Sequence, residues 1–201
     1  RRGGGGGGAG KPGRGLPKTR KSVFPDFRTE WINTKPPLWN VERFIREEGN
    51  ARICLYGPPG AGKTAYAQEL ARRLDKPFML QSGSDLLGMY VGQTEKNIAE
   101  MFEKAERTGA VLLLDEADTF LYSRNMAQRS WEISAVNEFM VRLERFEGVF
   151  LATTNRFDSC DKAILRRFEM KVEFGYLTTE QVKAIIASCV VDRDKASTLA
   201  Q

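Results

Sequence analysis

Gly57-Pro58-Pro59-Gly60-Ala61-Gly62-Lys63-Thr64 has the spacing GxxxxGK[ST] of a phosphate-binding loop. The stretch before it, Arg52-Ile53-Cys54-Leu55-Tyr56, is short and rich in strand formers. Behind it Tyr66, Leu70 and Leu74 recur at helical spacing, with Ala67 and Ala71 beside them. The loop thus sits between a strand and a helix, the context its chemistry needs. Glycines let backbone N–H groups turn inward around phosphate oxygens, and the helix N-terminus adds partial positive charge. Gly57 through Thr64, with Ala65 after them, are candidate phosphate contacts. Lys63 reaches the terminal phosphates and Thr64 holds Mg²⁺. A rival pattern, GxGxxA over Gly60–Ala65, also fits a dinucleotide loop. It is set aside because Lys63 and Thr64 would have no task there, and the next strand ends in Gln81-Ser82 without a ribose-binding acid.

Working outward, the chain alternates strand and helix. Strands are expected at 51–57, 77–82, 110–115, 148–153 and 169–175, and helices at 62–74, 94–107, 131–146 and 159–166. Val111–Leu114 and Val149–Ala152 are continuous apolar runs, as in strands covered on both faces. The fold class is therefore α/β: a parallel five-stranded sheet with helices on both faces. In helix 131–146, Ile133, Val136, Phe139, Met140 and Leu143 form the apolar stripe, with Ser130 as N-cap.

Four segments follow from composition. Residues 1–22, six consecutive glycines among Lys, Arg and Pro, are expected as a disordered basic tail. Residues 23–50 form an N-terminal extension with a short helix at 38–48 stopped by Gly49-Asn50. Residues 51–175 form the α/β domain. Residues 176–201 open with a capping box, Thr178-Thr179-Glu180-Gln181, and a stripe of Val182, Ile185, Ile186, Cys189 and Val190. One amphipathic helix builds no core alone, so this segment reads as the start of a truncated helical unit.

The net charge of +5 is uneven. Eight Lys/Arg and one Asp in residues 1–28 give +7, so the remainder carries −2. The basic balance belongs to the tail and supports nucleic-acid binding only weakly. With no histidine and three dispersed cysteines, a zinc site, a disulfide framework and a Ser-His or Cys-His pair are all disfavoured. No apolar run reaches the roughly 18 residues of a membrane span, and no signal segment opens the chain, so a cytoplasmic location is expected.

The strand Leu112-Leu113-Leu114 ends in Asp115-Glu116-Ala117-Asp118. Acids at the end of a strand beside a phosphate loop are placed for Mg²⁺ (Asp115) and for polarising an attacking water (Glu116). Asn155 ends another central strand, where an amide reaches the γ-phosphate or serves as a turn former. Arg166-Arg167 supply positive charge for phosphoryl transfer, or sit as a solvated pair at a helix end. Tyr90, in Met89-Tyr90-Val91-Gly92, is an aromatic in a loop before a helix capped near Thr94.

Taken together, GPPGAGKT at 57–64, MYVGQTEKNI at 89–98, LLLDEAD at 112–118, ATTN at 152–155 and LRRF at 165–168 resemble the AAA family of ATPases in order and spacing. The resemblance implies ATP and Mg²⁺ as ligands, ATP hydrolysis, and a homo-hexameric ring with ATP between subunits. It implies that Asp115 and Glu116 are the metal and water residues, Asn155 the sensor, and Arg166 and Arg167 fingers reaching the next subunit. The adjacency of the two arginines is similar to the microtubule-severing branch. Tyr90, Val91 and Gly92 look like the central-pore loop that grips a polypeptide, so the implied role is remodelling, unfolding or translocating protein. A partner-recruiting switch or scaffold and a nucleic-acid-associated ATPase are the alternatives. A truncated lid implies impaired hydrolysis.

Overall fold

Strand β4 (Val111–Asp115) buries four successive side chains and divides them between two cores. Val111 and Leu113 enter one cluster, Leu112 and Leu114 the other. Successive side chains of a strand point to opposite faces, so an unbroken apolar run needs cover on both. Strands β2 (Ala51–Tyr56) and β5 (Val149–Thr154) divide in the same way. Ile53, Leu55, Val149 and Leu151 face one cluster, and Cys54, Phe150 and Ala152 face the other.

The structure, a computed structural model, describes residues 31–88, 90, 92–122 and 130–187. The expected tail at 1–22, the start of the extension, Val91, Cys189 and Val190 lie outside the described residues.

Six strands form one sheet in the order β1-β6-β2-β5-β4-β3, where β1 is Thr34–Lys35, β3 is Phe78–Ser82 and β6 is Met170–Phe174. The five strands expected from sequence are present and parallel. The sixth, β1, was not expected. It pairs antiparallel with β6, Thr34 opposite Phe174, and stitches the extension onto the sheet edge. Two residues are too few to carry an alternating pattern, which is why sequence gives no sign of it.

Helices α1 (Leu38–Glu48) and α2 (Lys63–Arg73) cover one face through Val41, Ile45, Tyr66, Ala67 and Leu70. α1 ends as expected at Gly49, whose N–H returns to Ile45 O. The other face is covered by α4 (Gln93–Thr108), the one-turn α5 (Asp118–Leu121) and α6 (Ser130–Arg145), after the short α3 (Gly83–Leu86). Its centre is aromatic. Phe102 lies 5.5 Å from Phe150 and 5.3 Å from Phe146 between ring centroids, and Phe139 lies 5.9 Å from Phe150. Such pairs add about 0.5–1.5 kcal/mol beyond their burial.

Two details of the α6 reading change. Ser130 lies within the helix, where sequence placed the cap. Ile133 is exposed, because the buried part of the stripe begins only at Ala135. After β6 the chain is helical again at 179–187 (α8). The capping box forms as expected: Thr178 N–H donates to Gln181 Oε1 at 2.9 Å, and Gln181 N–H donates to Thr178 Oγ1 at 3.2 Å. Val182 and Ile186 on α8 are exposed, and Ile185 is half-buried. No helix among the described residues is long and apolar enough to cross a membrane.

Candidate nucleotide site

The P-loop strand β2 lies between β5 and β6, although β3 follows it in sequence. Chain connections therefore diverge beside it and leave a crevice at the strand ends, where ligands of open α/β sheets bind. Gly57 enters that crevice with φ 138°, and its N–H donates to Thr154 O at 3.3 Å. A Cβ at Gly57 would lie 2.0 Å from Phe174 O, so no larger residue fits. Gly62, at φ 93°, turns the chain into α2, which starts at Lys63.

Lys63 is buried, 7% exposed. Its Nζ donates to Gly57 O, Pro58 O and Asn155 Oδ1, each at 2.8 Å. All three ammonium protons are thus taken, two by loop carbonyls and one by the Asn155 amide oxygen. Burial lowers its pKa below the ordinary lysine value, against the opposing fields of Asp115 and Asp118.

Thr64 Oγ1 donates to Asp115 Oδ2 at 3.1 Å. A hydroxyl and one carboxylate, side by side at the mouth of a phosphate loop, suit Mg²⁺, which takes few protein ligands and fills its shell with phosphate and water. Among the described residues no group of three or more Asp, Glu, His or Cys could enclose a metal, so an all-protein cage is not on offer there.

The Asp115–Asp118 side of the crevice is braced by residues that sequence reasoning missed. Thr153, 2% exposed, donates from Oγ1 to Asp115 Oδ1 at 2.5 Å and accepts from Glu116 N–H at 2.9 Å. Thr154 Oγ1 donates to Asp118 Oδ1. The available signal was a Thr-Thr pair closing an otherwise apolar buried strand, where each hydroxyl needs a partner. Glu116 has φ 53°, a left-handed backbone uncommon outside glycine. Its carbonyl packs on Gly83, where a Cβ would lie 2.5 Å away. Strain of this kind persists where surrounding contacts over-determine it. The Glu116 side chain, next in chain to Asp115, is exposed. Tyr56 stacks on Phe157 with centroids 3.9 Å apart, joining the strand before the loop to the turn after Asn155.

The structure gathers Lys63, Thr64, Asp115 and Asn155, with Glu116 next in chain. It does not bring Arg166 and Arg167 to them. They follow α7 (Lys162–Leu165), and Arg167 pairs through Nε with Glu144 at the end of α6. Glu144 O in turn accepts from Arg52 near the start of β2, whereas the phosphate loop leaves its far end. Gly57 lies five positions beyond Arg52, about 17 Å of strand. Arg166 is exposed.

Tyr90 is 77% exposed on a short loop held at its base by Gly88 N–H donating to Thr94 Oγ1 at 2.9 Å and by Asn97 Nδ2 donating to Leu86 O at 3.0 Å. Thr94 therefore lies inside the first turn of α4, and the residue preceding the helix is Gly92 at φ 80°, a correction to the expected cap.

Comparison with known proteins agrees with this geometry. A family profile described as "ATPase family associated with various cellular activities (AAA)" matches residues 53–176. The chain is 33% identical over 149 residues to proteasome-activating nucleotidase 2 of Halobacterium salinarum, a match covering 68% of this chain and 36% of that protein. It is 32% identical over 159 residues to the cell division cycle protein 48 homolog of Archaeoglobus fulgidus, covering 75% and 22% respectively. The chain thus spans about a third or less of these relatives. Among solved structures, the FIGL-1 AAA domain in complex with ADP superposes with a TM-score of 0.60 at 27% identity, over 71% of this chain and 49% of that one. The profile match covers more than half of the sequence and contains every motif of the crevice: the chain belongs to the AAA family of ATPases.

Proposed function

We propose that this chain is the nucleotide-hydrolysing module of a ring-forming, homo-hexameric ATPase that binds ATP with Mg²⁺ and remodels polypeptide substrates. One observation carries the reading. Lys63, Thr64, Asp115 and Asn155 meet in one crevice with exposed Glu116 next to Asp115 in the chain, while Arg167 is engaged about a strand's length away. A single copy thus holds one half of a phosphoryl-transfer site and displays the other half elsewhere. A neighbouring copy completes both.

In this mechanism Gly57–Ala65 wrap the phosphates and Lys63 moves from its loop carbonyls to the phosphate oxygens. Thr64 and Asp115 would hold Mg²⁺, which supplies charge neutralisation at the β- and γ-phosphates when bound. Glu116 takes a proton from the attacking water as its oxygen bonds to the γ-phosphorus. The bond to the bridging oxygen breaks, and ADP leaves with that electron pair. Asn155 orients the water, and an arginine from the next subunit stabilises the charge on the transferring group. Residues 51–175 make the hydrolytic domain, and the helix at 179–187 belongs to a helical lid. Exposed Tyr90, with Val91 and Gly92, grips the polypeptide.

Two measurements test this. Subunits carrying Arg166→Ala and Arg167→Ala, mixed with Lys63→Ala subunits in confirmed rings, should regain activity at mixed interfaces; none regained would refute action in trans. Tyr90→Ala should keep ATPase activity and lose substrate unfolding, and unfolding that survives intact would refute the remodelling role.

A further inference from the structure

Arg52 and Glu169 are 117 positions apart in sequence and meet through both backbone and side chain. Arg52 N–H donates to Glu169 Oε2 at 2.6 Å, and Glu169 N–H returns to Arg52 O at 2.9 Å. The guanidinium donates from Nε to Glu169 Oε1 at 2.8 Å and from Nη2 to the same oxygen. The ladder between β2 and β6 begins one residue later, with Ile53 opposite Met170, so this clamp closes its end. The third guanidinium nitrogen leaves the strand pair. Arg52 Nη1 donates to Leu143 O at 3.3 Å and to Glu144 O at 3.2 Å, carbonyls in the last turn of α6 where positive charge is favoured. The carboxylate of that same Glu144 takes Arg167, whose Nη1 also donates to Ala163 O at 2.6 Å.

We propose that Arg52 and Glu169 are positioning residues for the arginine pair, holding the 165–168 turn in register with the P-loop strand so that Arg166 faces outward toward a neighbouring subunit. Glu169 follows Arg167 by two residues, and Arg52 precedes Gly57 by five. The clamp therefore pins the turn on its C-terminal side, and the Arg167–Glu144 pair pins it through α6. A guanidinium fork is needed because one side chain must serve a carboxylate and two helix carbonyls in fixed directions. The inference rests on the reading that these arginines act on the next subunit's nucleotide.

Arg52→Ala in the full chain should lower turnover on the order of 10- to 100-fold through misplacement of the turn. ATP affinity should change by no more than about twofold, because the variant leaves every phosphate contact in place. Mixing Arg52→Ala subunits with Lys63→Ala subunits should restore hydrolysis, since the latter bring intact arginines to intact phosphate loops. A mere strand staple predicts no restoration. If Arg52→Ala does not fold, Glu169→Gln, which keeps an acceptor for Arg52 N–H but removes the charge, is measured in the same way. The mixture of Arg166→Ala,Arg167→Ala with Lys63→Ala separates the two readings. If that control regains activity and the clamp variants do not, the clamp proposal is overturned and action in trans stands. If the control also fails, action in trans falls and the clamp proposal falls with it. Full turnover in both clamp variants likewise overturns the proposal.

Discussion

Thr153 Oγ1 donates to Asp115 Oδ1 at 2.5 Å while Thr64 Oγ1 donates to Asp115 Oδ2 at 3.1 Å, so hydroxyls from two elements fix one carboxylate from opposite sides. Thr153 also accepts from Glu116 N–H, which makes one buried hydroxyl the support of both acids. Thr153→Val keeps the shape and removes the hydroxyl. It removes the partner of the Glu116 N–H and leaves Asp115 held by Thr64 alone. Stability should fall by about 1–3 kcal/mol. Turnover should fall about 10- to 100-fold, with ATP affinity within about threefold. Urea unfolding and steady-state kinetics check this, and a variant that loses stability but keeps parental turnover per folded molecule would contradict the support role.

Gly83 carries a second, less direct hold on Glu116. A methyl there would meet Glu116 O at 2.5 Å, and the carbonyl belongs to a residue at φ 53°. Gly83→Ala must move that backbone, so turnover should drop well beyond the stability loss. The complementary change, Glu116→Gly, relieves the left-handed strain and should raise stability by up to about 1 kcal/mol while abolishing hydrolysis. Glu116→Gln separates chemistry from backbone: it should bind ATP and fail to turn it over. Normal hydrolysis by Glu116→Gln would remove Glu116 as the base.

The contrast between these residues and the loop they serve explains what sequence could reveal. The glycines of 57–62 shape a local backbone turn that leads directly into Lys63 and Thr64, so the spacing of the stretch already carries its geometry. Asp115 and Glu116 are legible because an apolar strand must end before charge begins. Thr153 and Gly83 acquire their roles only when β5 lies beside β4 and α3 meets the turn after β4, facts of strand order that local periodicity does not encode. The Arg52–Glu169 clamp spans 117 positions, and either charge alone reads as a solvated surface group. Ile133 fails for a related reason: helical spacing gives a stripe, but only tertiary cover decides how much of it is buried.

Glu69 gives the chain an acid-sensitive brace on α2. It is 8% exposed and accepts from Arg72 Nε at 2.8 Å, Arg72 Nη2 at 2.7 Å and Arg73 Nε at 2.8 Å. The Arg72 hydrogen bonds, with help from Arg73 and against burial, pull its pKa from 4.5 down to about 2. A depressed carboxylate contributes stability that is full above its unfolded value and is lost as pH falls through the folded one. The contribution should therefore disappear between pH 4.5 and about 2. Glu69→Gln should cost about 0.5–1.5 kcal/mol at pH 7, since the exposed Arg72 partner is screened by solvent, and flatten the pH dependence in that window. Unfolding curves at several pH values compare the two proteins directly, and identical acid slopes would show that Glu69 contributes no such linkage.

Lys63 titrates in the opposite sense, with consequences for binding. Burial lowers its pKa below the ordinary value of 10.5, with Asp115 and Asp118 pulling the other way. The protonated ammonium is the form that attracts phosphate, so the binding-competent fraction shrinks as pH rises through the lowered pKa. ATP affinity should weaken in the alkaline range at a lower pH than an exposed lysine would give. Lys63→Arg keeps its charge throughout that range. It should bind more weakly at pH 7, because a planar fork does not fit the three acceptors that the ammonium satisfies. Its affinity should nonetheless change little with alkaline pH. Titration with a fluorescent ATP analogue from neutral to alkaline pH compares the two. Parallel pH profiles would assign the alkaline loss to another group and leave the buried ammonium charged throughout.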